Sequence, residues 1–304
     1  VKTRTKTLIL VNPIAGGGRA RKARPKVADF LHQQGFLAEF AESQSADHLQ
    51  RLAAEGVAAG YTRIVALGGD GTFRQIVEGT LGTEAVLGFL PAGGGNDIAE
   101  ALGIPKDPVA AAHDLLHSPP RRMDVLRARF VGGNTSVYVG GGGLGLDAQA
   151  AELANGKFRR LPGAARYVAG ALCALATFEP FCIEAELDGK PIRAGGPVMF
   201  AAVVNTPTYG AGVRIAPEAK IDDGWLNLVL VGELHWTRVL EVIPVILRTG
   251  DVRRPEIRRS RARRVSLCTA RPAQFHGDGD VLGEAPVEVE NLPGAIQVVA
   301  PPRK

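Results

Sequence analysis

The chain has 304 residues, 45% of them hydrophobic, enough to bury a sizeable core in one large domain or two smaller ones. Its formal net charge of +5 suits an acidic partner, whether nucleotide, nucleic acid or anionic membrane, without choosing among them. Cys173, Cys182 and Cys268 stand far apart with no Cys-x-x-Cys pair, which argues against a disulfide framework or a zinc module and fits a reducing cytosol.

Residues 7–11 form a short apolar run that reads as a strand, with no signal peptide legible before it. The chain begins at Val1, so an upstream segment stays open. Asn12-Pro13-Ile14-Ala15-Gly16-Gly17-Gly18 follows, and then Ala20, Ala23, Val27, Phe30 and Leu31 fall on one helical face, with Gly35 as a stop. Residues 37–41 read as a second strand and 46–59 as a second helix. A buried strand at 64–67 runs into Gly68-Gly69-Asp70-Gly71-Thr72, and Phe73, Ile76, Val77, Thr80 and Leu81 stripe the next helix. A strand at 85–90 ends in Pro91-Ala92-Gly93-Gly94-Gly95-Asn96-Asp97, and a short helix reaches Leu102. This alternation predicts a parallel sheet with helices on both faces. Each glycine loop follows a strand, at the edge where open α/β sheets bind ligands.

Beyond Asp124 the pattern changes. Residues 125–130, 136–139, 181–187, 197–205, 226–231 and 265–268 read as strands, separated by turn signals such as Asp188-Gly189 and Asp222-Asp223-Gly224. Helices are expected near 148–178 and 236–249. The apolar stretch 164–178 is too short to span a bilayer and holds Arg166, so it reads as a buried or a membrane-contacting helix. His113 and His117, four apart, read as a solvated helix face. The second half is expected to be a mainly antiparallel β domain, a sandwich, with the active site in the cleft between the two domains.

The glycine loops carry the chemistry. Gly68-Gly69-Asp70-Gly71-Thr72 is either a tight turn with an Asx bond or a phosphate loop at a helix start, with Asp70 reaching magnesium directly or through water. No Walker motif is present. Asp124 is a cleft carboxylate or an arginine's salt-bridge partner. Asp222-Asp223-Gly224 is a hairpin turn or a seat for a hard cation. In Phe275-His276-Gly277-Asp278-Gly279-Asp280, a carboxylate can take a proton from an alcohol during phosphoryl transfer. The arginine-rich stretch 253–264 draws the chain to anionic lipid or is a solvated edge strand that blocks sheet pairing.

These residues together resemble the diacylglycerol kinase, sphingosine kinase and ceramide kinase superfamily, closest to its soluble bacterial lipid kinases. The resemblance spans nearly the full length through Asn12-Pro13 and its glycines, residues 68–72 and 91–97, Tyr209-Gly210-Ala211-Gly212, the segment from Ala216-Pro217 to Gly224, and Asp278-Gly279-Asp280. It implies an α/β nucleotide domain like that of NAD kinase and 6-phosphofructokinase over 1–124, completed by 295–304, and a β-sandwich lipid domain over 125–294. By motif matching, Asn12, Pro13, Gly16, Gly17, Ser43, Gly68, Gly69, Asp70, Gly71, Thr72, Gly94, Asn96 and Asp280 surround ATP. Asp278 takes the general-base position, and the Asp223 carboxylate with the carbonyls of Lys220 and Trp225 matches a structural magnesium site.

Two departures stand out: Gly94 replaces a threonine of the third loop, and Asp280 replaces the glutamate of an Asp-Gly-Glu motif. The implied activity is ATP- and magnesium-dependent phosphorylation of a lipid hydroxyl by a cytoplasmic protein that touches the membrane transiently. A homodimer is common in look-alikes, and nucleic acid is not an expected partner. The alternatives are an NAD kinase and a catalytically weak ATP-binding regulator.

Overall fold

The computed structural model describes residues 6–302 apart from 159, 162–164, 194, 211 and 235. Val1, Ala164 and Ala211, which the sequence reading invoked, lie outside the described residues. The chain divides into two compact units, Val1–Val125 with Pro293–Lys304, and Leu126–Leu292.

Unit 1 begins β1 (Thr7–Val11), α1 (Ala15–Gln33), β2 (Ala38–Glu42), α2 (Ala46–Ala58), β3 (Arg63–Gly68), α3 (Asp70–Thr80), β4 (Val86–Pro91), α4 (Asp97–Leu102) and α5 (Pro108–His117). β1 is Thr-Leu-Ile-Leu-Val, buried at every position, as a central parallel strand covered on both faces must be. The parallel order is β2-β1-β3-β4. Ser45 caps α2 by accepting from His48 N, and Asp107 caps α5 at Val109 N and Ala110 N. β5 (Pro120–Phe130) leaves the unit. Asp124 accepts from Gly294 N at 2.8 Å and Arg122 donates to Gly294 O at 3.0 Å, which fastens the returning chain. Neither sequence reading of Asp124 anticipated that backbone contact.

Unit 2 continues with β6 (Thr135–Tyr138), β7 (Gly141–Gly145), α6 (Leu146–Asn155), α7 (Ala165–Thr177), β8 (Ile183–Leu187), β9 (Lys190–Ile192), β10 (Val198–Val204), β11 (Leu226–Gly232) and α8 (Trp236–Arg248). It ends with β12 (Ile257–Ala262), β13 (Arg264–Thr269), β14 (Gln274–Gly277), β15 (Asp280–Glu284) and β16 (Val287–Val299). The tip of β16, Gln297 and Val298, pairs in parallel with Val86 and Leu87 of β4 in unit 1's own sheet.

Within unit 2 the strands form a sandwich. One layer pairs β16 with β13, β13 with β8, β8 with β9, and β5 with β6, all antiparallel. The other has the order β12-β11-β10-β7-β14-β15. Between the layers lies one core that includes Leu126, Tyr138, Val265 and Val289 from the first and Leu144, Val203, Leu228 and Phe275 from the second. The helix expected near 148–178 is two helices, α6 and α7, and the first stops at Gly156. Among the described residues no helix is long and apolar enough to cross a membrane.

Candidate active site

In unit 1 three loops leave the carboxyl ends of β1, β3 and β4, and short-range contacts lock them together. Asn12 N donates to Leu67 O at 3.1 Å, and Asn12 Nδ2 donates to Thr72 Oγ1 at 3.1 Å, so the first loop is tied to the start of α3. Gly16, Gly17 and Gly18 have φ of +59°, +68° and +90°, a left-handed run that only glycine makes without strain. Arg19 Nε donates to Gly16 O at 3.1 Å while its Nη2 donates to Gly93 O, joining the first loop to the third. Ser43, buried just beyond β2, donates its N–H to Val11 O at 2.9 Å and so stands beside the start of the first loop.

The second and third loops meet backbone to backbone: a Cβ placed on Gly93 would lie 2.4 Å from Gly69 Cα. Asn96 closes the third loop, its Oδ1 accepting from Gly93 N at 2.9 Å and its Nδ2 donating to Gly93 O at 3.2 Å. Gly94 beside it is exposed and faces open space. As at any helix start, the first N–H groups of α3 lack acceptors within the helix, and the macrodipole adds positive potential there. The arrangement is a ready-made anion seat.

Asp70 has a task that sequence reasoning missed. Its Oδ2 accepts from Asp97 N and its Oδ1 from Ile98 N, each at 3.1 Å, capping α4 with one carboxylate. Each oxygen spends one of its lone pairs on these bonds.

In unit 2, Asp278 sits in the β14–β15 turn at φ +48°. Its Oδ2 accepts from Val139 N at 2.6 Å, and its Oδ1 from Gly140 N at 2.9 Å and Gly141 N at 3.1 Å. Three main-chain donors on one carboxylate fix its orientation and suit an anion. The donors lead into β7, a strand of Gly-Gly-Gly-Leu-Gly that the sequence reading did not identify. Tyr138, just before them, donates to Val203 O at 3.1 Å, and burial, then the charge of Asp278, pushes its phenol well above the ordinary range. Asp280 opens β15, paired with Gly277, and is half-buried.

At the expected magnesium seat of Lys220, Asp223 and Trp225 the one carboxylate already has partners. Asp223 Oδ1 accepts from Trp225 N at 3.0 Å, the bond of an Asx turn, and Oδ2 pairs with Arg261 Nη2 at 2.5 Å. The guanidinia of Arg261 and Arg263 also lie over the Trp225 ring, at 5.5 and 5.2 Å. Among the described residues no group of three or more His, Cys, Asp or Glu side chains is placed to hold a metal.

The arginine-rich stretch is largely built into unit 2. Its strand, β12, is the edge of its sheet. Arg259 donates through Nε to Ile215 O at 2.7 Å, through Nη1 to Val252 O at 3.0 Å and through Nη2 to Gly250 O at 2.9 Å. Arg253, by contrast, has a side chain 86% exposed. Arg259→Ala is expected to lower stability in urea by about 2 kcal/mol, since three carbonyls lose a charged donor at a partly solvated site. Arg253→Ala should stay within about 0.5 kcal/mol. Equal effects would remove Arg259 from its structural role.

Comparison with known proteins converges on one family. A model described as the diacylglycerol kinase catalytic domain matches residues 6–128, and one described as the YegS C-terminal NAD kinase beta sandwich-like domain matches residues 137–300. The chain is 30% identical over 299 residues to a diacylglycerol kinase of Mycobacterium tuberculosis (strain ATCC 25618 / H37Rv), covering 97% of this chain and 95% of that one. It is 31% identical over 280 residues to a protein of Pseudomonas syringae pv. tomato named "Probable lipid kinase YegS-like", covering 91% and 88%. A crystal structure of a diacylglycerol kinase from Bacillus anthracis str. Sterne superposes with a TM-score of 0.76 over 99% of each chain at 21% identity, a likeness of fold. With one model matching over half of the sequence and a relative 30% identical along nearly all of it, the chain belongs to the family of bacterial diacylglycerol kinases and YegS-like lipid kinases.

Proposed function

We propose that this protein transfers the γ-phosphoryl group of ATP to a hydroxyl of diacylglycerol or a related lipid, with Asp278 as general base. The observation that carries the reading is the locking of three glycine loops around the start of α3, which supports a triphosphate seat in unit 1. Family membership supports a lipid hydroxyl as acceptor.

The phosphates rest on the N–H groups at the start of α3 and in the third loop. Asn12 and Thr72, bonded to each other, hold the first and second loops in register around them. Magnesium bound with ATP would supply positive charge against the phosphates, with Asp70 the residue to hold it, directly or through water. Asp278, held by three main-chain donors, takes the proton of the acceptor hydroxyl as its oxygen bonds to phosphorus and the bond to ADP breaks.

The test is a panel of lipids in mixed micelles with γ-labelled ATP and magnesium, with NAD as a parallel acceptor. Label entering the organic phase with diacylglycerol is the expected result. Label on NAD alone would make the protein an NAD kinase, and ATP binding without transfer to any acceptor would make it a weak ATP-binding regulator.

A further inference from the structure

Tyr209 opens a Tyr-Gly-Ala-Gly stretch that the proposed transfer does not use. Its ring lies where a side chain on Gly141 would be. A Cβ placed on Gly141 would stand 2.5 Å from Tyr209 Cδ2 and 3.1 Å from its Cε2, and Val204 Cγ1, at 3.0 Å, closes the rest of that space. Gly141 has no left-handed φ, so the backbone itself does not require glycine there. The close approach of the ring does.

Gly141 meets Asp278 twice. Its N–H donates to Asp278 Oδ1 at 3.1 Å, and its carbonyl accepts from Asp278 N at 2.9 Å. Val204 lies opposite Gly141 in the register and belongs to a second cluster, outside the sandwich core, against which Tyr209 and Phe200 pack. The other side of the hairpin has a matching contact. A Cβ on Gly277 would lie 3.1 Å from Tyr138 Cβ, and Tyr138 is part of the sandwich core. Asp278 is therefore flanked by two tyrosines, each pressed against a glycine bonded to it or next to it.

Tyr209 is itself held in place. Its N–H donates to Val213 O at 2.8 Å, and Val213 N donates to Tyr209 O at 3.2 Å. Just before it, Thr206 Oγ1 donates to Thr208 O at 2.8 Å, and both threonines are buried. The ring packs beside Phe200 with centroids 6.0 Å apart. A ring locked by packing in this way fixes whatever backbone rests on it.

We propose that Tyr209 is a positioning residue for deprotonation of the acceptor: its ring keeps the Gly141 N–H on Asp278 Oδ1 and so sets the direction of the carboxylate and its readiness to take a proton. This rests on the reading of Asp278 as general base. A hydrogen bond to the ionised carboxylate favours that form, so a carboxylate that loses one becomes harder to ionise. A base that must be ionised to act then fails at a higher pH on the acidic side. The neighbouring titratable groups are Tyr138, whose phenol feels the charge of Asp278, and His276 and Asp280 on the β14–β15 hairpin. The variants below change none of them.

The experiment uses the full chain with dioctanoylglycerol in mixed micelles and γ-labelled ATP. It records kcat, the KM for ATP and the pH profile of kcat/KM, with a melting curve for each variant. Tyr209→Ala should lower kcat about ten-fold, less than loss of the base itself, and leave the KM for ATP within about two-fold. It should also carry the acidic limb of the profile to higher pH. Tyr209→Phe, which keeps the ring, should hold the limb at its wild-type position. Gly141→Ala, whose methyl group pushes ring and backbone apart, should move the limb in the same direction as Tyr209→Ala. The two substitutions together should cost less than the product of their separate losses, because residues in contact are not additive. A limb that Tyr209→Ala leaves in place while the melting temperature falls overturns the proposal, and so do separate losses that simply multiply. If Tyr209→Ala fails to fold, the limb of Gly141→Ala decides, and an unmoved limb there overturns the proposal. A wild type that transfers no label, or an Asp278→Asn variant with wild-type turnover, instead overturns the reading of the mechanism itself.

Discussion

Asp278→Asn is expected to reduce lipid phosphorylation on the order of a thousand-fold, because a general base contributes typically 10²–10⁴ in rate. ATP affinity, measured by calorimetry, should change by no more than a few-fold, since the phosphate loops belong to unit 1 and Asp278 to unit 2. Asparagine suits the left-handed backbone at φ +48°, so the turn itself is kept. The substitution still has a structural cost. The carboxylate accepts from Val139, Gly140 and Gly141, and an amide offers one acceptor oxygen and an NH2 that must face one of these donors. About 1–3 kcal/mol of stability is expected to go with that mismatch. A melting curve must therefore accompany the rate. A folded variant with lost turnover and retained ATP binding supports the base assignment, and wild-type turnover would end it.

The parts of the fold that were legible from sequence are those where one local pattern decides. β1, β3 and β4 are runs of buried aliphatic residues followed by glycine, and α2 and α3 carry one apolar stripe each, so the alternation of unit 1 could be read residue by residue. β7 could not. Gly141-Gly142-Gly143-Leu144-Gly145 has no strand propensity, and it is a strand because β10 and β14 pair with it on both sides. A Cβ on Gly142 would lie 2.7 Å from His276 O and 2.9 Å from the Phe275 ring, so the absence of side chains is what lets β14 approach.

The candidate site divides in the same way. Each glycine loop announced itself after its strand, but the bond from Asn12 to Thr72 spans 60 positions and has no local signature. Asp70 drew attention as a carboxylate in a phosphate loop, yet its two oxygens cap a helix 27 residues further on. The arginine-rich stretch left two readings open because its charges say nothing of the carbonyls of Ile215, Gly250 and Val252 that Arg259 reaches. Asp223 matched a ligand position, and only the folded chain brings Arg261 to it.

Gly93→Ala and Gly94→Ala are expected to differ sharply although the residues are neighbours in one run of three glycines. Neither has a left-handed φ, so alanine is acceptable to the backbone at both and space alone decides. At Gly94 a Cβ meets nothing within 4 Å, and stability and ATP affinity should stay within about two-fold of the wild type. At Gly93 the same methyl group would lie 2.4 Å from Gly69 Cα and 2.8 Å from Asn96 Oδ1. Neither neighbour is the free end of a flexible side chain: one is main chain, and the other is held by its own bonds to Gly93. The second and third loops must therefore separate by about 1 Å to reach ordinary contact, at a cost of about 1–3 kcal/mol for overpacking. A shift of that size in the groups that orient a reacting phosphate costs about a hundred-fold in kcat/KM. ATP titration and urea melts of the two variants separate the outcomes. If Gly93→Ala binds ATP as the wild type does, the contact between these loops is not what shapes the phosphate seat, and the seat must lie elsewhere on the sheet edge.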